Sequence, residues 1–159
     1  TVLVTGGNSG IGLGMARALA KSGANVCIWG TNPKKNATAE QEVSSFGTKC
    51  KCIICDVSDE SAVKDAFSES LELSGQIDVC LANAGSGGSS PFHEFPTDLC
   101  RNVISINLDG TFFTFREAAK HMIKKGQGGR LIATSSTAAI HGAPMSEAYA
   151  AAKGGFYLW

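Results

Sequence analysis

Five short apolar runs, at residues 2–4, 26–29, 50–55, 77–82 and 130–135, alternate with segments of helical periodicity along the chain. Few folds accommodate that order. Continuous apolar runs of this length suit strands covered on both faces, and short connections between alternating elements make the sheet parallel. After the first run, Ile11, Met15, Ala18, Leu19 and Ser22 fall at helical spacing with small or apolar side chains, and Gly23 ends the pattern. The polar turn Gly30, Thr31, Asn32, Pro33 opens a second helix that runs through about Phe46 and closes at Gly47. The third strand ends at Asp56 and Val57. Ser58 is the expected cap of the next helix, with Asp59 and Glu60 in its first turn and Val63, Ala66, Phe67 and Leu71 as its buried stripe. One long helix is predicted over residues 98–125, with Gly110 inside it and Gly126 stopping it, and a last helix runs from Ser146 to the chain end. Right-handed crossovers turn this order into an α/β fold, a doubly wound parallel sheet with helices on both faces. Its ligands sit beyond the carboxyl ends of the strands.

The 159 residues, 43% of them hydrophobic, suffice for one domain with its own core, and a single unit over residues 1–159 is expected. Fourteen basic and fourteen acidic residues give zero formal charge with no dense Lys/Arg stripe. Neither nucleic acid nor an anionic membrane is an expected partner. There is no charged-then-apolar leader and no apolar run near the roughly 18 residues that span a bilayer, so the expected compartment is cytoplasmic. Cys50, Cys52 and Cys55 form a C-x-C-x-x-C cluster, but no fourth ligand lies nearby, the three histidines are scattered and the stretch alternates like a strand. Packed thiols rather than a metal site are expected there. Cys27, Cys80 and Cys100 lie in apolar segments and read the same way.

The glycine-rich stretch from Thr5 to Gly12 sits where the first strand turns into the first helix. A phosphate suits that place. Gly6, Gly10 and Gly12 allow positive φ and close approach of a pyrophosphate to the amides, while the helix N-terminus holds negative charge. Alone, such a turn can equally be structural. Tyr149 and Lys153, four residues apart on the final helix, share a face. A phenol with a pKa near 10 serves as an acid or base near neutrality only if its anion is stabilised by about 4 kcal/mol. One ammonium about 4 Å away, at an effective dielectric of about 20, supplies approximately that. Ser136, thirteen residues before Tyr149 at the end of the fifth strand, can hydrogen-bond a carbonyl oxygen reacting with Tyr149. An interfacial tyrosine beside a solvated lysine is the alternative that the pair alone leaves open.

Together these residues resemble the short-chain dehydrogenase/reductase family, and the likeness covers essentially the whole chain as a Rossmann-type domain. Thr5, Gly6, Gly10 and Gly12 fall on the fixed positions of the family's cofactor turn, which here also contains Asn8, Ser9 and Ile11. Asp56 and Val57 resemble its adenine-contacting pair. Asn83, Ala84 and Gly85 match three residues of its NNAG signature, whose first Asn is Ala82 here. Asn107, in SINLDG, falls where the family has its catalytic asparagine, and Ser136, Tyr149 and Lys153 match its Ser and YxxxK. The resemblance implies an NAD(P)-dependent alcohol dehydrogenase or carbonyl reductase that moves a hydride between nicotinamide C4 and a carbonyl or alcohol carbon. Tyr149 would exchange the proton and Ser136 would orient and polarise the substrate oxygen. Lys153 would hold the nicotinamide ribose and make Tyr149 a stronger acid, and Asn107 would anchor a water in the proton relay. The cofactor carries the difficult chemistry. The YxxxK spacing argues against the enoyl-reductase branch, and the TGxxxGxG turn against the extended sugar-nucleotide epimerases. The resemblance also implies a homodimer or homotetramer packed through the long and final helices.

The end of the second strand bears on which nicotinamide cofactor is used. Enzymes using NAD usually place an acid there, which bonds both ribose hydroxyls and repels a 2′-phosphate. This chain has Gly30, then Thr31 and Asn32, and neither Lys nor Arg at positions 8 or 9. With the repelling acid gone, and with Lys34 and Lys35 beside Thr31 and Asn32, NADP is the expected cofactor and NAD the alternative. The 86–90 loop, Phe92, His93, Phe95, Ala138, Ile140, His141, Gly142 and Met145 fall near the reacting end and are candidates for a small carbonyl or alcohol substrate. The family's domain continues beyond Lys153, so the expectation is a C-terminally incomplete domain without its last strands and substrate lid. A truncated, non-catalytic dinucleotide-binding or interaction protein is the alternative.

Overall fold

A computed structural model describes residues 1–158. Its strands β1 (Val2–Thr5), β2 (Val26–Gly30), β3 (Cys50–Ile54), β4 (Val79–Ala82) and β5 (Arg130–Ala133) all pair in parallel, in the order β3-β2-β1-β4-β5. Alternate side chains of the strands feed two separate cores. On one face Val2, Val4, Val26 and Ile28 pack with Ala16 and Ala20 of α1 (Gly10–Lys21) and Ala39 and Val43 of α2 (Pro33–Ser44). On the other, Leu3, Cys27, Trp29 and Cys80 pack with Val63, Ala66 and Phe67 of α3 (Glu60–Ser74) and Ala118 and Met122 of α5 (Gly110–Lys125). A strand buried on both faces must be apolar at every position, which is why β1 and β2 are continuous runs rather than alternations. The fold is the expected doubly wound parallel sheet of Rossmann type with helices on both faces.

Trp29, fully buried, makes the α3 side specific. Its indole N–H donates to Ser70 Oγ at 2.9 Å, that hydroxyl donates to the Ala66 carbonyl at 2.7 Å, and Phe67 packs edge-on with ring centres 6.4 Å apart. A buried indole needs such a partner for its donor.

Several local features differ from the sequence-based expectation. The buried face of α1 is Gly12, Ala16 and Ala20, not the stripe through Ile11 and Ala18, because small side chains let the helix lie close against the sheet. Ile11 is instead exposed. Asp59, not Ser58, caps α3: its Oδ1 accepts from the amides of Ser61 and Ala62 at 2.8 and 3.2 Å, while the Ser58 amide and hydroxyl are both spent on Asp56 Oδ1. The helix expected over 98–125 is continuous from Thr97 to Lys125 but not regular: α4 (Thr97–Ile104) passes through a π turn, Ser105–Asp109, into α5. Asn107 explains the π turn. Its Nδ2 takes the Val103 carbonyl at 2.8 Å, the acceptor that a regular helix assigns to the Asn107 main-chain N–H. After β5 come α6 (Ala138–His141) and α7 (Glu147–Gly154), followed by a 3-10 turn over Gly155–Leu158. The last helix was expected from Ser146 to the chain end; α7 stops at Gly154, and Trp159 lies outside the described residues. No helix among the described residues is long and apolar enough to cross a membrane.

Candidate functional site

The strand order reverses between β1 and β4, and the turns that leave them open a cleft there. Gly6 swings the chain off β1 with φ +61°, and a Cβ there would come within 2.9 Å of the Ala84 Cα, so the two turns nest against each other. The buried Thr5 hydroxyl locks them, accepting the amides of Asn83 and Ala84 at 3.0 Å each. The Asn83 side chain donates to the Thr5 and Gly6 carbonyls at 3.3 and 3.5 Å and accepts from Thr134 Oγ1 at 3.2 Å. It braces the ends of β1, β4 and β5.

The cleft holds about 670 Å³ and is lined by Gly6, Asn8, Ser9, Ile11 and Gly12 of the first turn and by Gly30, Thr31 and Asn32 after β2. Asp56 and Val57 after β3, and Asn83, Ala84 and Gly85 after β4, complete the wall. Every expected cofactor residue except Gly10, Tyr149 and Lys153 thus faces one space. Trp29, Lys35, Cys55, Ser86 and Ile106 line it as well. Of these, Trp29, Cys55 and Ile106 were not singled out for it from sequence, although each adjoins a residue that was. The fit to a dinucleotide rests on α1: it starts after an extended Ser9 (φ −164°, ψ 167°) without a side-chain cap. First-turn amides without a side-chain acceptor are what a pyrophosphate satisfies.

At the inner end stands the second group of residues. Lys153, one turn after Tyr149 on α7, is 3% exposed. Its Nζ donates to the Thr134 carbonyl at 2.8 Å and lies 5.7 Å from the centre of the Tyr149 ring and 5.2 Å from that of Phe156. Burial holds its pKa below the usual lysine value. With one acceptor engaged, the ammonium keeps two further N–H donors. Asn107 is fully buried in the π turn, its Nδ2 donating to the Ser86 and Val103 carbonyls at 2.8 Å each, while its Oδ1 is buried without a hydrogen-bond partner. A Cβ built on Gly85 would lie 2.6 Å from that Oδ1 and 3.6 Å from Lys153 Nζ. The cleft wall, an unpartnered acceptor and a lysine with spare donors therefore meet at one point. Ser136 stands at the entry to α6, its Oγ accepting from the Ala138 amide at 3.2 Å and keeping its own proton to donate. Among the described residues no hydrogen bond joins Ser136 to Tyr149.

The cysteines of the C-x-C-x-x-C stretch are free thiols, Cys55 buried and Cys50 and Cys52 half-buried. Among the described residues no group of three or more His, Cys, Asp or Glu side chains is placed to hold a metal ion.

A family profile described as short chain dehydrogenase matches residues 1–158. A 3beta-hydroxysteroid dehydrogenase of Mediterraneibacter gnavus is 39% identical over 153 residues, which are 96% of this chain and 55% of that protein. A 2-dehydro-3-deoxy-L-rhamnonate dehydrogenase (NAD(+)) of a Sphingomonas species is 35% identical over 154 residues, 96% of this chain and 60% of that one. Among solved structures, an NAD+-bound xylitol dehydrogenase superposes with a TM-score of 0.95 at 32% identity, covering 99% of this chain and 60% of the other. The chain spans somewhat more than half the length of these relatives.

Proposed function

The chain belongs to the short chain dehydrogenase family, and from that premise we propose that the full-length protein is an NAD(P)-dependent oxidoreductase interconverting a small carbonyl compound and its secondary alcohol. The observation that carries the proposal is the meeting of Gly85, Asn107 Oδ1 and Lys153 Nζ at the inner end of the cleft, one helical turn from the Tyr149 phenol.

A bound nicotinamide dinucleotide supplies or accepts the hydride. The chain does the rest. The amides of the turn from Gly6 to Gly12, at the positive end of α1, hold the pyrophosphate; Asp56 and Val57 bound the adenine side, and Asn83, Ala84 and Gly85 the nicotinamide side. Lys153, with two N–H donors to spare, binds the nicotinamide ribose, and its charge favours the phenolate left when Tyr149 gives up its proton. Tyr149 gives that proton to the substrate oxygen in reduction and takes it back in oxidation. Ser136 donates a hydrogen bond to the same oxygen and fixes its place. Asn107 Oδ1 accepts a proton-relay donor beside Lys153. NADP is the proposed cofactor, with NAD the alternative, because Gly30 offers no carboxylate to repel a 2′-phosphate. A cytoplasmic setting and a homodimer or homotetramer packed through α5 and α7 belong to the same proposal.

The test is nicotinamide absorbance with NADPH or NADH over a panel of ketones and secondary alcohols. Tyr149→Phe should lower kcat by about 10²–10⁴-fold while nucleotide affinity is kept. Wild-type turnover in Tyr149→Phe would end the acid–base role, and nucleotide binding without turnover across the panel would favour a binding protein.

A further inference from the structure

Two side-chain amides meet at the end of β2, Asn8 in the cleft lining and Asn36 buried on α2, and their orientation follows from elementary hydrogen-bond chemistry. Asn36, on α2 and 5% exposed, donates its Nδ2 to the carbonyls of Gly30 at 2.9 Å and Ile53 at 3.3 Å. Carbonyls only accept, so the nitrogen must face them and Oδ1 must point away. That oxygen accepts from Asn8 Nδ2 at 2.7 Å, which fixes the Asn8 amide in turn. The bond ties the glycine-rich turn to the β2–α2 turn directly across Gly30. A Cβ built on Gly30 would overlap Asn8 Nδ2, and it would lie 2.6 Å from Asn8 Cγ and 2.7 Å from Asn36 Oδ1. A side chain at position 30 and the Asn8–Asn36 bond therefore exclude each other.

We propose that the Asn8–Asn36 pair determines cofactor choice. The inference rests on the nucleotide-binding reading above and names the device that sets its preference. The pair fills the place from which an acid at position 30 would reach the adenosine ribose, so that end of the cleft has a neutral amide wall. Lys35 lines the same end with Thr31 and Asn32. Asp56, the one carboxylate in the lining among the described residues, follows β3 and has its Oδ1 held by the Ser58 amide and hydroxyl at 3.0 and 2.7 Å. An amide at that place does not repel a 2′-phosphate as an acid at position 30 would, and a lysine beside it attracts one. Among the described residues no hydrogen bond engages Asn8 Oδ1 or its second N–H, which leaves both for the ribose. The cofactor selected is a nicotinamide dinucleotide that bears a 2′-phosphate.

The experiment is a fluorescence titration of the full-length protein with NADPH and with NADH, without substrate, so that catalysis plays no part. NADPH should bind at least about tenfold tighter, and Lys35→Gln, an exposed position that leaves the fold intact, should remove most of that advantage while changing the NADH Kd by less than about twofold. Gly30→Asp alone should weaken both nucleotides, because its side chain forces the amide pair apart. Gly30→Asp combined with Asn8→Gly and Asn36→Ala, which together remove both side chains that a Cβ at position 30 would meet, should bind NADH tighter than NADPH. Equal wild-type affinities, or full inversion by Gly30→Asp alone, would overturn the role of the pair. Failure of the folded wild type to bind either nucleotide would overturn the nucleotide-binding reading itself and the inference with it.

Discussion

The Thr5 hydroxyl accepts two main-chain amides at a position 2% exposed, so a single oxygen satisfies both donors of the turn after β4. Valine has nearly the same shape but no acceptor. Each amide left unpaired in the interior costs roughly 1–3 kcal/mol, so Thr5→Val should lower the unfolding free energy by about 2 kcal/mol or more, and Thr5→Ser should recover most of it. Urea denaturation measures both; a loss below about 0.5 kcal/mol would mean that the amides find another acceptor. Lys153 behaves differently. Its pKa is lowered by burial, so the folded chain releases the Lys153 proton before the unfolded chain does. The cost of keeping that charge buried is present in full below the folded pKa and disappears as pH rises to the ordinary lysine value. Relative to Lys153→Met, the wild type should therefore gain stability through the alkaline range, read as converging or crossing denaturation midpoints. A difference independent of pH would show that water reaches the ammonium.

The ends of the elements are where side chains compete for the backbone. Asp56, Ser58 and Asp59 all stand before α3 and all are residue types that cap helices, and Ser58 is the one expected from sequence. Asp59 takes the role since Ser58 is already bonded to Asp56. Asp59→Ala should cost about 1 kcal/mol in a denaturation experiment, whereas Ser58→Ala should stay within about 0.5 kcal/mol; equal losses would mean the two residues share the cap. The strands were legible because burial on both faces forces every position of 2–4 and 26–29 to be apolar. The π turn was not, since nothing in SINLDG announces that Asn107 will take the Val103 carbonyl from its own backbone. The same divide runs through the candidate site. Gly6, Asp56, Asn83 and Gly85 could be gathered from sequence because each follows a strand, and all carboxyl ends of a parallel sheet lie at one edge. Asn36 could not, because its part depends on a bond to Asn8, 28 residues away, and on an amide orientation set by two carbonyls.

Across the whole molecule, three of the six free thiols report on one layer, because Cys27, Cys55 and Cys80 all belong to the core that α3 and α5 cover. Burial pushes the Cys80 thiol up to about 12, that of Cys55 to about 12, and that of Cys27 to about 11 against the opposing hydrogen bond of Ser70. Only the thiolate attacks an alkylating agent. At mildly alkaline pH iodoacetamide should therefore modify the half-buried Cys50 and Cys100 first, and these three only after denaturant opens the sheet, as peptide mapping would show. The same protection has a thermodynamic side whose sign is fixed. A thiol whose pKa is higher folded than unfolded keeps its proton longer in the native state, so its contribution is full below the ordinary value of 9.0 and is lost as pH rises toward about 12. Cys80 gives the cleanest case, because burial is the only cause of its shift. Cys80→Ala removes that one proton from the balance, and above about pH 9 the wild type should lose stability relative to it by about 1.4 kcal/mol per pH unit. The two denaturation curves should keep a constant separation between about pH 7 and 8 and then draw together. A separation that stays constant up to about pH 11 would mean that water penetrates between β4 and α5, and that the layer is looser than its packing indicates.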